Sequence, residues 1–219
     1  MQSADAASEP SIVIIDDDAD IREALHGLLR SVGLRSELYA SVREFVESDR
    51  LDGPGCIVLD IRLPGQSGLD FQDHLLETGQ DFPIVFISGH ADVAMSVRAM
   101  KAGAVEFLTK PFRQQDFLEA IHRALKKDAL RRAESQLVGS IGEKYATLSR
   151  RESEVMSLVV AGKLNKQIAV QIGVTEATVK LHRGQVMRKM GASTVIELVR
   201  MADRITTAYP RGGVDALRK

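Results

Sequence analysis

Residues 56–70, CIVLDIRLPGQSGLD, begin with four apolar residues in a row and turn abruptly polar at Asp60. A continuous run, as opposed to an alternating one, is expected of a strand covered on both faces. Gly65 and Gly68 follow closely and provide ordinary turn chemistry. On either side, Ile12–Ile15 (IVII) and Ile84–Ile87 (IVFI) are also continuous runs, and Leu38–Ala40 and Val105–Leu108 are two more short apolar segments. Between them lie residues at helical spacing. Ile21, Leu25, Leu28, Leu29 and Val32 form one stripe, closed by Gly33; Leu69, Leu75 and Leu76 form a second; Val93, Val97 and Met100 form a third. Five strands separated by helices predict βαβ units and a parallel sheet with helices on both sides.

The ends of the runs carry the chemistry. The first run ends in Asp16-Asp17-Asp18, the third in Asp60 and the fourth in Ser88, while the fifth passes through Thr109 to Lys110. In a parallel sheet these ends share one edge, where open α/β folds place their ligands. Singly, each residue has a plain structural role: Asp17 or Asp18 can cap a helix, Asp60 can open a turn, Ser88 can cap, and Lys110 can be solvated. Jointly they gather several carboxylates, a hydroxyl and an ammonium. Mutually repelling carboxylates attract a hard divalent cation; Mg²⁺ takes one or two of them and leaves positions for phosphate oxygens. A carboxylate can also accept a phosphoryl group as an aspartyl phosphate. Metal and lysine together would neutralise the transferring group.

The chain has 219 residues and a formal charge of −1, but the charge is unevenly placed. Up to Ala146 there are 24 Asp and Glu against 16 Lys and Arg; beyond it there are 13 basic residues against six acidic ones. Such a split suggests an acidic domain that concentrates cations and a basic one suited to phosphate backbones. No stretch approaches the roughly 18 uninterrupted apolar residues of a membrane span. The start, MQSADAASEPS, has neither a basic nor an apolar leader region. The single cysteine, Cys56, lies inside an apolar run and suits a reduced, cytoplasmic setting.

From Gln114 a charged, Ala- and Leu-containing segment predicts one long helix, packed through Phe117, Leu118, Ile121 and Leu125. Beyond Lys126 its apolar positions thin out, so this part is expected to protrude or pack lightly. Gly139 and Gly142 are expected to break it, making 139–146 the flexible boundary. Four helical patterns follow. Ser149 and Glu152 match a capping box ahead of Val155, Met156 and Val159. Lys163–Ile172 reads as a short helix, Gly173 as a turn, and Thr175 as the cap of the next helix, which is helix–turn–helix grammar. Within 175–190, Val179, Val186 and Met190 share an inward stripe, and Ala177, Lys180, Leu181, Gly184 and Arg188 face the other way. Long cations and a leucine there suit base edges and thymine methyls, while Arg183 and Lys189, flanking the stripe, suit phosphates. Val195, Leu198, Val199, Ala202 and Ile205 form a last stripe.

VIIDDDADIR, CIVLDIRLPGQSGLD and FISGHADVAMSVRAMKAGAVEFLTKPF, in this order and spacing, resemble the receiver domain of two-component response regulators. The basic half, with its RESEVMSLVVAGKLNKQIA and TVKLHR segments, resembles the LuxR-type DNA-binding domain, and the whole resembles the FixJ/NarL-type regulators, FixJ branch. This resemblance implies an α/β flavodoxin-like receiver over 11–125, doubly wound around five parallel strands. A helical linker over 126–146 and an all-α four-helix helix–turn–helix domain over 147–207 would follow. It implies Asp60 as phosphoacceptor, Ser88 and Lys110 as phosphate-sensing groups, and Ser88 with Phe107 as the switch. It further implies a cis bond between Lys110 and Pro111, and a Mg²⁺ site of Asp17, Asp60 and the Arg62 backbone carbonyl, with Asp16 acting through water. Thr175–Met190 becomes the recognition helix, contacting DNA through Thr178, Lys180, Leu181, Arg183, Gly184, Arg188 and Lys189. The implied partners are a sensor histidine kinase, promoter DNA, RNA polymerase and a second copy on activation, with no membrane. Phosphorylation would favour receiver dimerisation, release of the DNA-binding domain, or both. Two other classes fit parts of this pattern: a Mg²⁺-dependent phosphatase turning over at Asp60, and a constitutive DNA-binding protein with a structural first domain.

Overall fold

The computed structural model describes residues 9–48, 53–89 and 92–208, so most of the N-terminal MQSADAASEPS stretch lies outside the described residues. The chain divides into two compact units that meet in sequence at Arg132 and Ala133. The first unit contains β1 (Ser11–Ile15), α1 (Ala19–Ser31), β2 (Arg35–Tyr39), α2 (Val42–Glu47), β3 (Gly55–Asp60), α3 (Gly68–Glu77), β4 (Ile84–Ser88), α4 (Val93–Lys101), β5 (Glu106–Thr109) and the start of α5 (Gln114–Ala146). All strand pairs are parallel, in the order β2-β1-β3-β4-β5. This is the parallel sheet that the runs predict, in the doubly wound, flavodoxin-like order that the resemblance implies, and it reverses direction of growth between β1 and β3.

The period-two alternation of the strands divides their side chains between two cores. Val13, Ile15, Ile57, Leu59, Ile84 and Phe86 pack with Val42, Phe45, Phe71, Leu75 and Ala99 on the α2–α3–α4 side. Ile12, Ile14, Cys56, Val58, Val85 and Ile87 pack with Leu25, Leu29, Phe117, Ile121 and Ala124 on the α1–α5 side. β1, β3 and β4 are buried along their whole length, which is why their sequences do not alternate.

Several expected helix faces differ. Val93, Val97 and Met100 do not form the inward stripe of α4; they are 79%, 44% and 44% exposed, and Ala99 is the buried residue, with Met95 partly packed. A small alanine lets α4 approach the sheet closely, which turns the bulkier residues outward. Val32 and Leu76, the last members of their stripes, are likewise exposed at helix ends. The short helix α2 had no counterpart in the spacing analysis. It is started by Ser41, whose hydroxyl accepts the Glu44 N–H, and held by a buried Phe45.

α5 is a single helix of 33 residues, so the break expected at Gly139 and Gly142 is absent. Glycine costs a helix only about 1 kcal/mol relative to alanine, and Ile141 and Tyr145, each 2% exposed, are buried in the core of the second unit. The stretch after Lys126 is also not lightly packed throughout, because Asp128 is 2% exposed.

The second unit comprises the end of α5, α6 (Arg150–Val160), α7 (Asn165–Ile172), α8 (Glu176–Met190) and α9 (Val195–Ala208). The capping box forms: the Ser149 hydroxyl accepts the Glu152 N–H, and the Glu152 carboxylate accepts the Ser149 N–H. Gly173 ends α7 in the left-handed region at φ 68°, as the turn before α8 requires. Val179, Val186 and Met190 are buried with Val155, Met156, Val159, Ile168, Leu198 and Ile205. Among the described residues no helix is long and apolar enough to cross a membrane.

Candidate functional site

Parallel pairing places the acidic residues together. Ile15 of β1 lies beside Leu59 of β3, so Asp16 and Asp60, the next residues of each strand, emerge side by side at the switch point. Ser88 and Lys110 arrive from β4 and from just beyond β5, and the Lys110 N–H donates to the Ser88 carbonyl at 2.8 Å. Lys110 Nζ donates to Asp16 Oδ2 at 2.6 Å and to Asp60 Oδ2 at 3.3 Å. Asp16 and Ser88 are fully buried and Asp60 is 7% exposed. The Lys110–Pro111 peptide is cis. Asp18 stands outside the cluster: its carboxylate caps α1 by accepting the Asp20 and Ile21 N–H groups. Arg22 secures Asp16 by donating to its carbonyl at 2.6 Å.

One carboxylate oxygen from each of Asp16, Asp17 and Asp60 lies within 4.8 Å of the others, and Asp17 is the exposed member. Three converging carboxylates with a single partly buried ammonium form an all-oxygen, electron-rich donor set that fits a hard divalent cation. Burial pushes the Asp60 carboxyl up and the Asp16 charge adds to this; Lys110 and the Arg62 N–H pull it down, and the net position is above the ordinary carboxylate range. The Arg62 N–H donates to Asp60 Oδ1 at 3.3 Å. A cavity of about 440 Å³ opens beside the carboxylates, lined by Asp17, the 61–67 loop and Met95. Gly68 seats this loop against the strand: a Cβ there would meet the Asp60 carbonyl oxygen at 2.4 Å. The turn chemistry expected of Gly68 from the sequence gives no sign of this contact. Phe107 is half-buried and packs on the α2–α3–α4 core, its ring centre 6.4 Å from that of Phe86.

In the second unit, α8 presents Ala177, Lys180, Leu181, Gly184 and Arg188 to solvent, with Leu181 62% exposed. An exposed leucine between exposed cations is suited to a groove that has both polar edges and methyl groups. Thr178 is half-buried, and its hydroxyl shares a hydrogen bond with that of Thr175 at 2.8 Å. Arg183 donates to Asn165 Oδ1 at 2.9 Å, joining α8 to the start of α7.

Lys189, expected to flank the recognition face, makes contacts inside the domain: its ammonium donates to Glu152 Oε2 at 2.6 Å and to the Thr147 carbonyl at 3.0 Å. Burial pushes the Glu152 carboxyl up, but hydrogen bonds from Lys189 and Ser149 outweigh it and hold the group below its usual value of 4.5. The capping box was visible in the sequence; that the same carboxylate also receives a lysine 37 residues away was not.

Comparison with known proteins agrees with this division. Residues 12–122 match the response regulator receiver domain family, and residues 146–202 match the bacterial regulatory proteins of the luxR family. Nodulation protein W of Bradyrhizobium diazoefficiens is 44% identical over 201 residues, covering 92% of this chain and 88% of that protein. The solved structure of the response regulator StyR superposes with a TM-score of 0.79 at 41% identity, covering 90% of this chain and 100% of that one. Full-length FixJ from B. japonicum gives a TM-score of 0.54 at 36% identity, with 90% and 97% coverage.

Proposed function

This chain belongs to the two-component response regulators that join a receiver to a LuxR-type DNA-binding domain, and we propose that phosphorylation of Asp60 controls its binding to promoter DNA. Family membership brings a histidine kinase as upstream partner and DNA as downstream one. The observation that carries the finer reading is the convergence of Asp16, Asp17 and Asp60 around Lys110 at one sheet edge.

A Mg²⁺ ion held by Asp17, Asp60 and the Arg62 carbonyl, with Asp16 through water, would neutralise phosphate oxygens and lower the cost of bringing a dianion to a carboxylate. Asp60 is the nucleophile: a carboxylate oxygen forms the new bond to phosphorus as the bond from phosphorus to the donor breaks. Its fixed position near Lys110 supplies orientation, which is most of what phosphoryl transfer asks of a protein. Once the phosphoryl group is in place, Lys110 pairs with its charge in place of the lost carboxylate charge. Ser88 hydrogen-bonds one of its oxygens, and Phe107, on the adjoining β5, repacks as the hydroxyl moves.

The 92–125 surface is the pairing face between two activated copies. The outward Val93, Val97 and Met100 favour this over simple release of the DNA-binding domain, since three neighbouring apolar side chains on one helix gain by being covered. Pairing raises the effective concentration of two DNA-binding domains at adjacent half-sites. There, Lys180, Leu181 and Arg188 face the bases, Gly184 lets the backbone approach, and Thr178 and Arg183 lie at the edge of the face, towards the phosphates. The regulator acts in the cytoplasm, where RNA polymerase is its remaining partner.

The test is a mobility-shift titration of promoter fragments with and without acetyl phosphate and Mg²⁺. The wild-type protein gains affinity on treatment and Asp60→Asn does not. Equal response of the two proteins removes the switch, and sustained phosphate release from generic phosphoesters replaces it with an enzyme.

A further inference from the structure

A charge cluster at the other end of β3 is not used by the pocket chemistry. Asp128, on α5, is 2% exposed and meets three donors. Its Oδ2 accepts the Gly55 N–H at 2.9 Å and the Arg132 Nε–H at 2.8 Å, and its Oδ1 accepts from Arg131 at 2.6 Å. Arg132 also donates to the Gly53 carbonyl, and the Arg131 guanidinium lies 5.9 Å from the centre of the Phe82 ring. A buried carboxylate is tolerated only when its lone pairs are satisfied and its charge is met. Burial pushes the Asp128 carboxyl up, but the Arg131, Gly55 and Arg132 hydrogen bonds outweigh it and hold the group below the ordinary range. It therefore stays ionised at neutral pH.

The location gives this cluster its meaning. Gly55 begins β3 and Asp60 ends it, so the strand that carries the phosphoacceptor is tied at its root to Asp128. β3 lies between β1 and β4 and is hydrogen-bonded to both, which makes it a stiff element. Arg132 is the last residue of the first unit, and residues 128, 131 and 132 share one helix face. A single buried side chain thus joins the root of the strand to the final turn of α5 that belongs to the receiver.

We propose that Asp128 is a latch: a positioning residue that pins this last turn of α5 to the root of β3 and passes the state of the pocket to the helix that continues into the DNA-binding domain. Local opening sets where motion begins, and with the latch closed that point lies beyond Arg132. The pinning stands on the contacts alone, whereas the transfer of state rests on the phosphorylation reading above.

The test uses the full-length chain as wild type, Asp128→Ala and Asp128→Asn, with Arg132→Gln as a milder variant should the alanine protein not fold. Hydrogen exchange at residues 53–57 and 124–132 is expected to quicken at least tenfold in Asp128→Ala and less in the other two. The initial rate of acetyl phosphate labelling at Asp60 stays within twofold of wild type, because the pocket is untouched. The ratio of DNA affinities with and without phosphodonor falls at least fivefold, an effect that a merely structural brace would not produce. Unchanged exchange overturns the latch. Faster exchange with an unchanged affinity ratio overturns the transfer of state. A wild-type protein that shows no response to phosphodonor overturns the phosphorylation reading instead, and the exchange data then decide the pinning by themselves.

Discussion

The two units use lysine in opposite ways. In the receiver, Lys110 is 17% exposed at its side chain and sits between two buried carboxylates. In the DNA-binding domain, Lys180 stands in solvent on α8. On the proposed function, the difference follows from what each would meet. Phosphoryl transfer needs charges fixed in advance and shielded from water, since a dianion is brought to a carboxylate. DNA brings its own dense negative charge, so a cation that reads it has to be long, free and on the outside. Lys189 shows that position in sequence does not separate the two cases: it lies on the same helix as Lys180, yet it is half-buried and paired with the buried Glu152. Burial, and not residue type, sorts the roles.

This contrast can be broken in graded steps. The largest effect belongs to Asp60→Asn, which is expected to abolish labelling by acetyl phosphate, read as loss of the phosphoryl mass increment on the intact protein; retained labelling would move the acceptor elsewhere. Next is Lys189→Met, which leaves Glu152 in place without its cation. Breaking a buried pair commonly costs 3–5 kcal/mol, and about 2–3 kcal/mol is expected here because the lysine is not fully buried. A thermal melt of the DNA-binding domain should show the loss. A normal melt combined with weakened DNA binding would return Lys189 to the phosphate contacts.

Lys180→Ala should do the reverse, leaving the melt unchanged while weakening specific sites by about 1–3 kcal/mol and random DNA by less. Equal loss on both would make it a backbone contact. The Glu152–Lys189 pair also gives a pH dependence. Because the folded-state carboxyl lies below its usual value of 4.5, its contribution is complete above that value and is lost as the pH falls through the lower folded value. Glu152→Gln should flatten the acid side of the stability curve. The smallest effect is Gly184→Ala. A Cβ there meets nothing within 4 Å, so the helix gains about 0.5–1 kcal/mol. DNA affinity should fall modestly, because the backbone at this position is proposed to approach the duplex; unchanged affinity would take Gly184 out of the interface.

The continuous runs IVII, CIVL and IVFI were readable as central strands because burial on both faces removes any polar alternation. The pocket was readable for a related reason: parallel strands bring their ends to one edge, so residues far apart in the chain could be placed together without coordinates. Helix faces were less readable where a small residue makes the contact. Ala99 carries no large apolar signal, and its burial turned Val93, Val97 and Met100 outward, against the expected stripe. The glycines of α5 misled in the same manner, since the tertiary burial of Ile141 and Tyr145 outweighs a local propensity cost. The Asp128 cluster was half visible. Its arginines stand three and four residues on, but the Gly55 amide lies 73 residues away and no local pattern points to it.

The close approach of Gly68 to the Asp60 carbonyl bears on re-engineering. The loop between them forms one wall of an open groove beside the acidic pocket, while its downstream end is fastened with no room for even a methyl group. A library aimed at new phosphodonors can therefore vary the Arg62 and Gln66 side chains, provided position 62 keeps its backbone N–H and the loop keeps its length and the glycine at its end. Altered donor choice would then come from the rim, with the nucleophile left where the strand holds it.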